Sequence, residues 1–160
     1  MSSGAEKAVS FPSRYATAGV AETERSDIAG DRNLSRIWTL LRFTYGFVPI
    51  VAGFDKFTNL LTNWENYLNP RVLAILPVSG HAFMSAVGVV EIVAGLLVLL
   101  RPRQGSIVVM AWLIGIALSL ITGGRYLDVA VRDLVMAIGA FTLGSLTPLV
   151  EARRTNESTR

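Results

Sequence analysis

Four long apolar runs, parted by breaks of a few polar residues, dominate the chain: roughly 37–60, 81–100, 106–122 and 127–150. Each is long enough to cross a hydrocarbon core of about 30 Å at about 1.5 Å of helical rise per residue. Continuous runs of this kind exclude a membrane β-barrel, whose strands alternate apolar and polar residues. The breaks after the second and third runs are too short for anything but antiparallel neighbours. The expected fold is therefore all-α, an integral membrane antiparallel four-helix bundle running up-down-up-down.

Composition points the same way. Of 160 residues, 51% are hydrophobic and 17% charged, with a mean hydropathy of +0.46, outside the range of ordinary soluble domains. A net charge of +3 would turn a soluble protein toward nucleic acid. Here the basic residues flank the apolar runs instead of forming a stripe, so no nucleic-acid partner is expected. With no cysteine, the chain has no disulfide, thiolate metal site, covalently attached haem or cysteine nucleophile. Its one histidine, His81, supplies neither a bis-histidine haem nor a metal site. No metal and no covalently bound cofactor are expected, and any redox centre must be borrowed from a partner or a diffusible ligand. On this reading the chain is not catalytic alone and carries no catalytic residue.

Residues 1–36 are Ser, Ala, Gly, Thr and balanced charge, without the apolar core of a signal peptide. They are expected to form a flexible cytoplasmic tail, and 151–160 a cytoplasmic C-terminal tail. Arg32, Arg36, Arg101, Arg103, Arg153 and Arg154 fall on one side of the four spans, and only Lys56, Arg71 and Arg125 on the other. The positive-inside bias then puts both termini in the cytosol of a multi-pass protein of the bacterial inner (plasma) membrane. After the first span, Leu60, Leu61, Trp64, Tyr67 and Leu68 sit at helical spacings. They predict a short interfacial helix at headgroup depth, ended at Asn69-Pro70. It serves either as a plain anchor or as a cap over a ligand cleft.

The informative residues are those a lipid-facing helix should not carry. An Arg, Lys or Asp at the centre of a span costs about 2.5 to 3.5 kcal/mol on insertion scales, so such residues turn inward. In the first span Arg42, Gly46, Pro49, Gly53 and Lys56 share a seam, and in the second His81, Ser85, Gly88, Glu91 and Gly95 do. The third carries Trp112, Gly115, Ser119 and Thr122 without charge, and the fourth Asp128, Arg132 and Asp133. Counting axial rise puts Glu91 near the midplane, Arg42 about 7 to 8 Å toward the cytosol and Arg132 about 9 Å toward the outside. Either arginine is expected to reach Glu91, and Lys56 and Asp133, about 6 Å apart along the axis, form a second pair. The expected site is thus a network of Arg42, Lys56, Glu91, Arg132 and Asp133 around a polar cavity that opens outward. Tyr45, Trp64, His81 and Trp112 would line it. The competing reading is that the charges are interhelical glue, that Lys56 and Arg132 merely snorkel, that His81 is a solvated cap, and that Tyr45 and Trp112 only pack.

The order of these residues resembles the DoxX-like family of four-helix integral membrane proteins. The first span, L-L-R-F-T-Y-G-F-V-P-I-V-A-G-F-D-K-F, is similar to that family's through Arg42, Gly46, Gly53 and Lys56. G-V-V-E-I-V-A-G-L-L matches its second segment through Glu91 and Gly95, and Y-L-D-V-A-V-R-D-L its fourth through Asp128, Arg132 and Asp133. F-T-N-L-L-T-N-W follows the first span as in one variety of the family, and the likeness covers residues 40–146. It implies a relative of the membrane subunit of thiosulfate:quinone oxidoreductase, an accessory of an oxidoreductase or respiratory assembly. Its partners would be the bilayer, other membrane or redox subunits and a second copy of itself. Arg42, Glu91 and Arg132 would then stabilise the polar oxygens of a quinone. The cysteine pair of some relatives is missing, so dithiol chemistry is not implied. Two other functions stay open: a structural or assembly protein with no ligand, and a small-solute or ion pathway.

Overall fold

The computed structural model describes residues 13–75 and 77–158. Among them there is no strand. The elements are α1 (Ser13–Thr58), a single 3-10 turn (Trp64–Tyr67), α2 (Pro70–Ile75), α3 (Gly80–Leu100), α4 (Pro102–Gly123) and α5 (Leu127–Ser158). Four stretches are long and apolar enough to cross a membrane: Ala29–Thr58, Gly80–Leu100, Pro102–Gly123 and Leu127–Asn156. Large apolar side chains such as Phe43, Phe54, Val93, Leu118, Ile138 and Phe141 are exposed on their outer faces. A soluble protein would bury them, whereas a bilayer solvates them. The chain is accordingly a multi-pass membrane protein.

The chain divides between Arg36 and Ile37 into two units. In the first, residues 13–36, expected as a flexible tail, belong to the helix α1, and residues 1–12 of that tail lie outside the described residues. At the C-terminal end α5 continues through Ser158.

In the second unit each helix end has a local cause. Ser79 caps α3, its hydroxyl accepting from the Ala82 N–H at 3.3 Å. Arg101, at φ −135° and ψ 76°, ends α3 because Pro102 follows it and excludes helical geometry. Pro102 then opens α4, where its missing N–H would have been unsatisfied anyway. The reversal is tight enough that a side chain at Gly105 would collide with the Val98 backbone. Gly124, at φ 67°, closes α4 in the left-handed conformation that favours glycine.

Helix contacts follow the small residues. Gly46 lies against Gly95 and Leu99, and Gly53 against Gly88 and Ile92, so α1 and α3 meet backbone to backbone. Any Cβ at these glycines would land on a facing carbonyl or side chain. Ser106 of α4 sits against Gly144 of α5, and Tyr45 of α1 against Gly139 of α5. The buried set is correspondingly small-residue-rich: Ala94, Ala117, Ala130, Ala137 and Ala140 accompany Val98, Leu143 and Val150. Lipid supplies no hydrophobic drive between helices, and close backbone approach through such residues maximises van der Waals contact instead.

Between α1 and α3 the expected interfacial helix is shorter than its pattern. Only Trp64–Tyr67 forms a 3-10 turn, capped by the Asn63 side chain accepting from the Glu65 N–H at 3.1 Å. Pro70 starts α2 after it. Asn69 makes that junction a fixed point. Its carbonyl oxygen accepts from the Arg71 N–H at 3.0 Å, while its amide donates to the Ser119 carbonyl at 3.0 Å and the Thr122 hydroxyl at 3.3 Å. The loop is thereby tied to the end of α4, where Tyr67 stacks on Tyr126 with ring centres 4.5 Å apart.

Candidate functional site

The Gly53–Gly88 crossing leaves room beside it for two charged side chains. Lys56 lies one turn beyond Gly53, and its Nζ donates to Glu91 Oε2 at 2.6 Å. The two side chains are only 5% and 10% exposed. A pair this enclosed is charge-assisted and short, and removal of either member leaves the other desolvated and alone.

Residues that follow Lys56 close the pair over. The Trp64 ring lies across the ammonium, its centre 3.7 Å from Nζ, a cation–π contact on a group already withdrawn from water. Asp55 holds that ring in place, accepting from Trp64 Nε1 through Oδ2 at 2.7 Å. Its other oxygen accepts from the Leu60 and Leu61 N–H groups at 2.9 and 3.0 Å and from the Thr58 hydroxyl at 3.3 Å. The carboxylate thus satisfies backbone donors freed where α1 ends, and Asn59 turns the chain there with φ 52°. Lys56, Glu91, Trp64 and Asp55 form one unit: an ion pair, its aromatic cover and the bracket that fixes the cover.

Asp133 of α5, half-buried, is near enough to feel the charges of both Glu91 and Lys56. It makes no ion pair or hydrogen bond of its own among the described residues.

The other predicted members lie elsewhere. Arg42 donates to the Leu99 carbonyl at the C-terminal end of α3 and stacks over Trp38 at 5.1 Å. Arg132 is exposed and faces Asp128, 3.7 Å away on its own helix. Neither arginine reaches Glu91, and the pairing of Lys56 with Asp133 is replaced by that of Lys56 with Glu91. The cause is the lean of helical side chains toward the N-terminus of their helix. Along α1 that lean carries Lys56 back to Glu91 and carries Arg42 away from it. On α5 it carries Arg132 to Asp128.

Of the four expected lining residues, Trp64 alone covers the pair. Tyr45 is buried, its hydroxyl donating to the Met136 carbonyl at 2.7 Å. His81 is exposed, with Nδ1 3.7 Å from Glu65 Oε1. Trp112 keeps its Nε1 buried without a hydrogen-bond partner. The cluster is closed rather than open to an outward cavity.

Two polar residues that carry much of this geometry escaped the sequence reading, Asp55 and Thr147, and Asn69 was read only as a helix end; all three are buried. Asp55 had a signal, an acid just ahead of the breaks at Asn59 and Asn63. Asn69 had one too, since an Asn side chain readily accepts from the N–H two residues on. Thr147, which accepts from Trp38 Nε1 at 3.0 Å, had none. Among the described residues no three carboxylate or imidazole side chains gather closely enough to hold a metal ion. In comparisons with known proteins, no family model, no curated protein and no solved structure matches this chain.

Proposed function

We propose that the chain is a DoxX-like accessory subunit of a membrane oxidoreductase or respiratory assembly. It would be an antiparallel four-span bundle in the plasma membrane with both termini in the cytosol. The antiparallel reading is supported by the order of contacts. Gly46 and Gly53 meet Gly95 and Gly88 in reverse sequence, as Trp38 and Tyr45 meet Thr147 and Met136. The observation that carries the functional reading is the sealed Lys56–Glu91 pair under Trp64. Charge that expensive, locked between the first two spans, suits a scaffold whose helix register must be held while a partner docks. Electron transfer would belong to that partner, since this chain offers no cysteine and one exposed histidine.

A second reading, quinone contact, is favoured by one observation: Asp133 beside the pair without a partner of its own. The residues fit a quinone headgroup only in part. Lys56 is the nearest strong donor, already engaged by Glu91, and Trp64 covers it. The headgroup would have to enter from the Asp133 side, with Lys56 donating to its oxygen and Asp133 or Glu91 exchanging a proton with it. The bound quinone would supply the two-electron redox chemistry.

Gentle purification followed by identification of co-purifying proteins and extracted lipids tests both. A redox subunit recovered with wild type and lost with Glu91→Gln supports the accessory role. A stoichiometric quinone lost in Asp133→Asn supports the second reading. Recovery of neither, with the chain alone and folded, contradicts both.

A further inference from the structure

A second charged constellation lies midway along α1, some four turns before Lys56, and among the described residues no carboxylate answers it. Trp38 is 4% exposed and its indole is fixed, Nε1 donating to Thr147, whose hydroxyl in turn donates to the Leu143 carbonyl at 2.7 Å. Two guanidinium groups from different helices lie over this one ring: Arg42 of α1 at 5.1 Å and Arg154 of α5 at 4.9 Å. Arg42 is also tethered to the Leu99 carbonyl. Two like charges gathered on one aromatic platform repel unless an anion joins them. Among the described residues neither has an ion-pair partner. Glu151, one turn before Arg154 on α5, is exposed and makes no ion pair either.

The surroundings say which anion suits. Arg101 and Arg103, at the turn two residues beyond Leu99, are exposed and add to the same basic end. Alongside, α1 presents Leu40, Phe43 and Phe47 outward, each more than half exposed. A positively charged, hydrogen-bonding head position next to bare apolar surface matches a phosphate on an acyl-chain carrier better than a free ion. Guanidinium forks fit phosphate oxygens bidentately, and stacking on indole leaves their N–H edges free to do so.

We propose that Trp38, Arg42 and Arg154 form a binding site for the headgroup phosphate of an anionic phospholipid, whose acyl chains run along the outer face of α1. The ring sets the spacing of the two guanidiniums, and Arg154, the exposed one, closes over the phosphate.

The full chain, purified from equal mixtures of phosphatidylglycerol and phosphatidylcholine in mild detergent, is examined by native mass spectrometry. Wild type should retain phosphatidylglycerol preferentially. Arg154→Gln should weaken retention about fivefold, the weight of one basic residue at an anionic surface, and Arg42→Gln with Arg154→Gln should weaken it further. Arg125→Gln, at the far end of α4, should leave it unchanged. Because Arg154 is exposed, its substitution keeps the test decisive even where the Arg42 variant fails to fold. Equal retention of the two lipids, retention unaltered in Arg154→Gln, or displacement of the lipid by excess inorganic phosphate would each overturn the proposal.

Discussion

Lys56 Nζ and Glu91 Oε2 stand 2.6 Å apart between α1 and α3, with little of either side chain in contact with the surroundings. Breaking one side of such a pair strands a charge where neither water nor lipid solvates it. Lys56→Met or Glu91→Leu alone should cost about 3 to 5 kcal/mol. Unfolding in a mixed-micelle denaturant titration reads this directly.

The glycine seam makes a steric prediction. At Gly53 an added methyl meets the Gly88 carbonyl, and at Gly95 it meets the Gly46 carbonyl, so neither clash is relieved by a rotamer change. Gly53→Ala and Gly95→Ala should each destabilise by about 1 to 3 kcal/mol. Gly115, with nothing within 4 Å of its added Cβ, is the control. Gly115→Ala should be neutral or stabilise by up to about 1 kcal/mol.

Asp55 brackets the loop that covers the pair. Asp55→Ala removes the acceptor for the Leu60 and Leu61 N–H groups and for Trp64 Nε1. Amide exchange at Leu60 and Leu61 should quicken by a factor of ten or more, corresponding to about 1.5 to 3 kcal/mol for bonds to a charged group. Exchange in α5 should stay unchanged. Asp55→Asn, which keeps one acceptor oxygen, should fall between the two. Uniform quickening across all helices would mean that Asp55 supports global folding rather than this loop.

The chain has no native cysteine, so single cysteines report the sidedness of each segment. Asn66→Cys, in the turn after α1, and Arg103→Cys, at the start of α4, should react with a membrane-impermeant thiol reagent from opposite sides of oriented vesicles. Labelling of both from one side would contradict the four-span reading.

Much of this architecture is legible in the sequence, and the reasons differ by element. The spans stand out because apolar runs of that length have no other use, and the seams because Gly46, Gly53, Gly88 and Gly95 recur at sevenfold spacing. Residues 13–36 are helical although their polarity suggested a flexible tail. The signal there was propensity, since Ala, Glu and Arg are strong helix formers even where no apolar face marks a core. The ionic site was half legible. Axial counting put Lys56 and Glu91 in one network but gave each a different partner, because it treats each side chain as level with its Cα. A lysine that leans back along its helix moves its charge most of a turn, enough to exchange Asp133 for Glu91 as partner. Thr147 was illegible because a threonine inside a span ordinarily bonds its own helix, as this one also does to Leu143.

The central claim is that Lys56 and Glu91 act as a single locked unit between the first two spans. A double-mutant cycle of Lys56→Met, Glu91→Leu and the two together, read as unfolding free energy in the same micelles, tests it most directly. The account predicts that the double variant is more stable than the sum of the single losses implies, with a coupling of about 2 to 3 kcal/mol. Losses that add to within about 0.5 kcal/mol would contradict it.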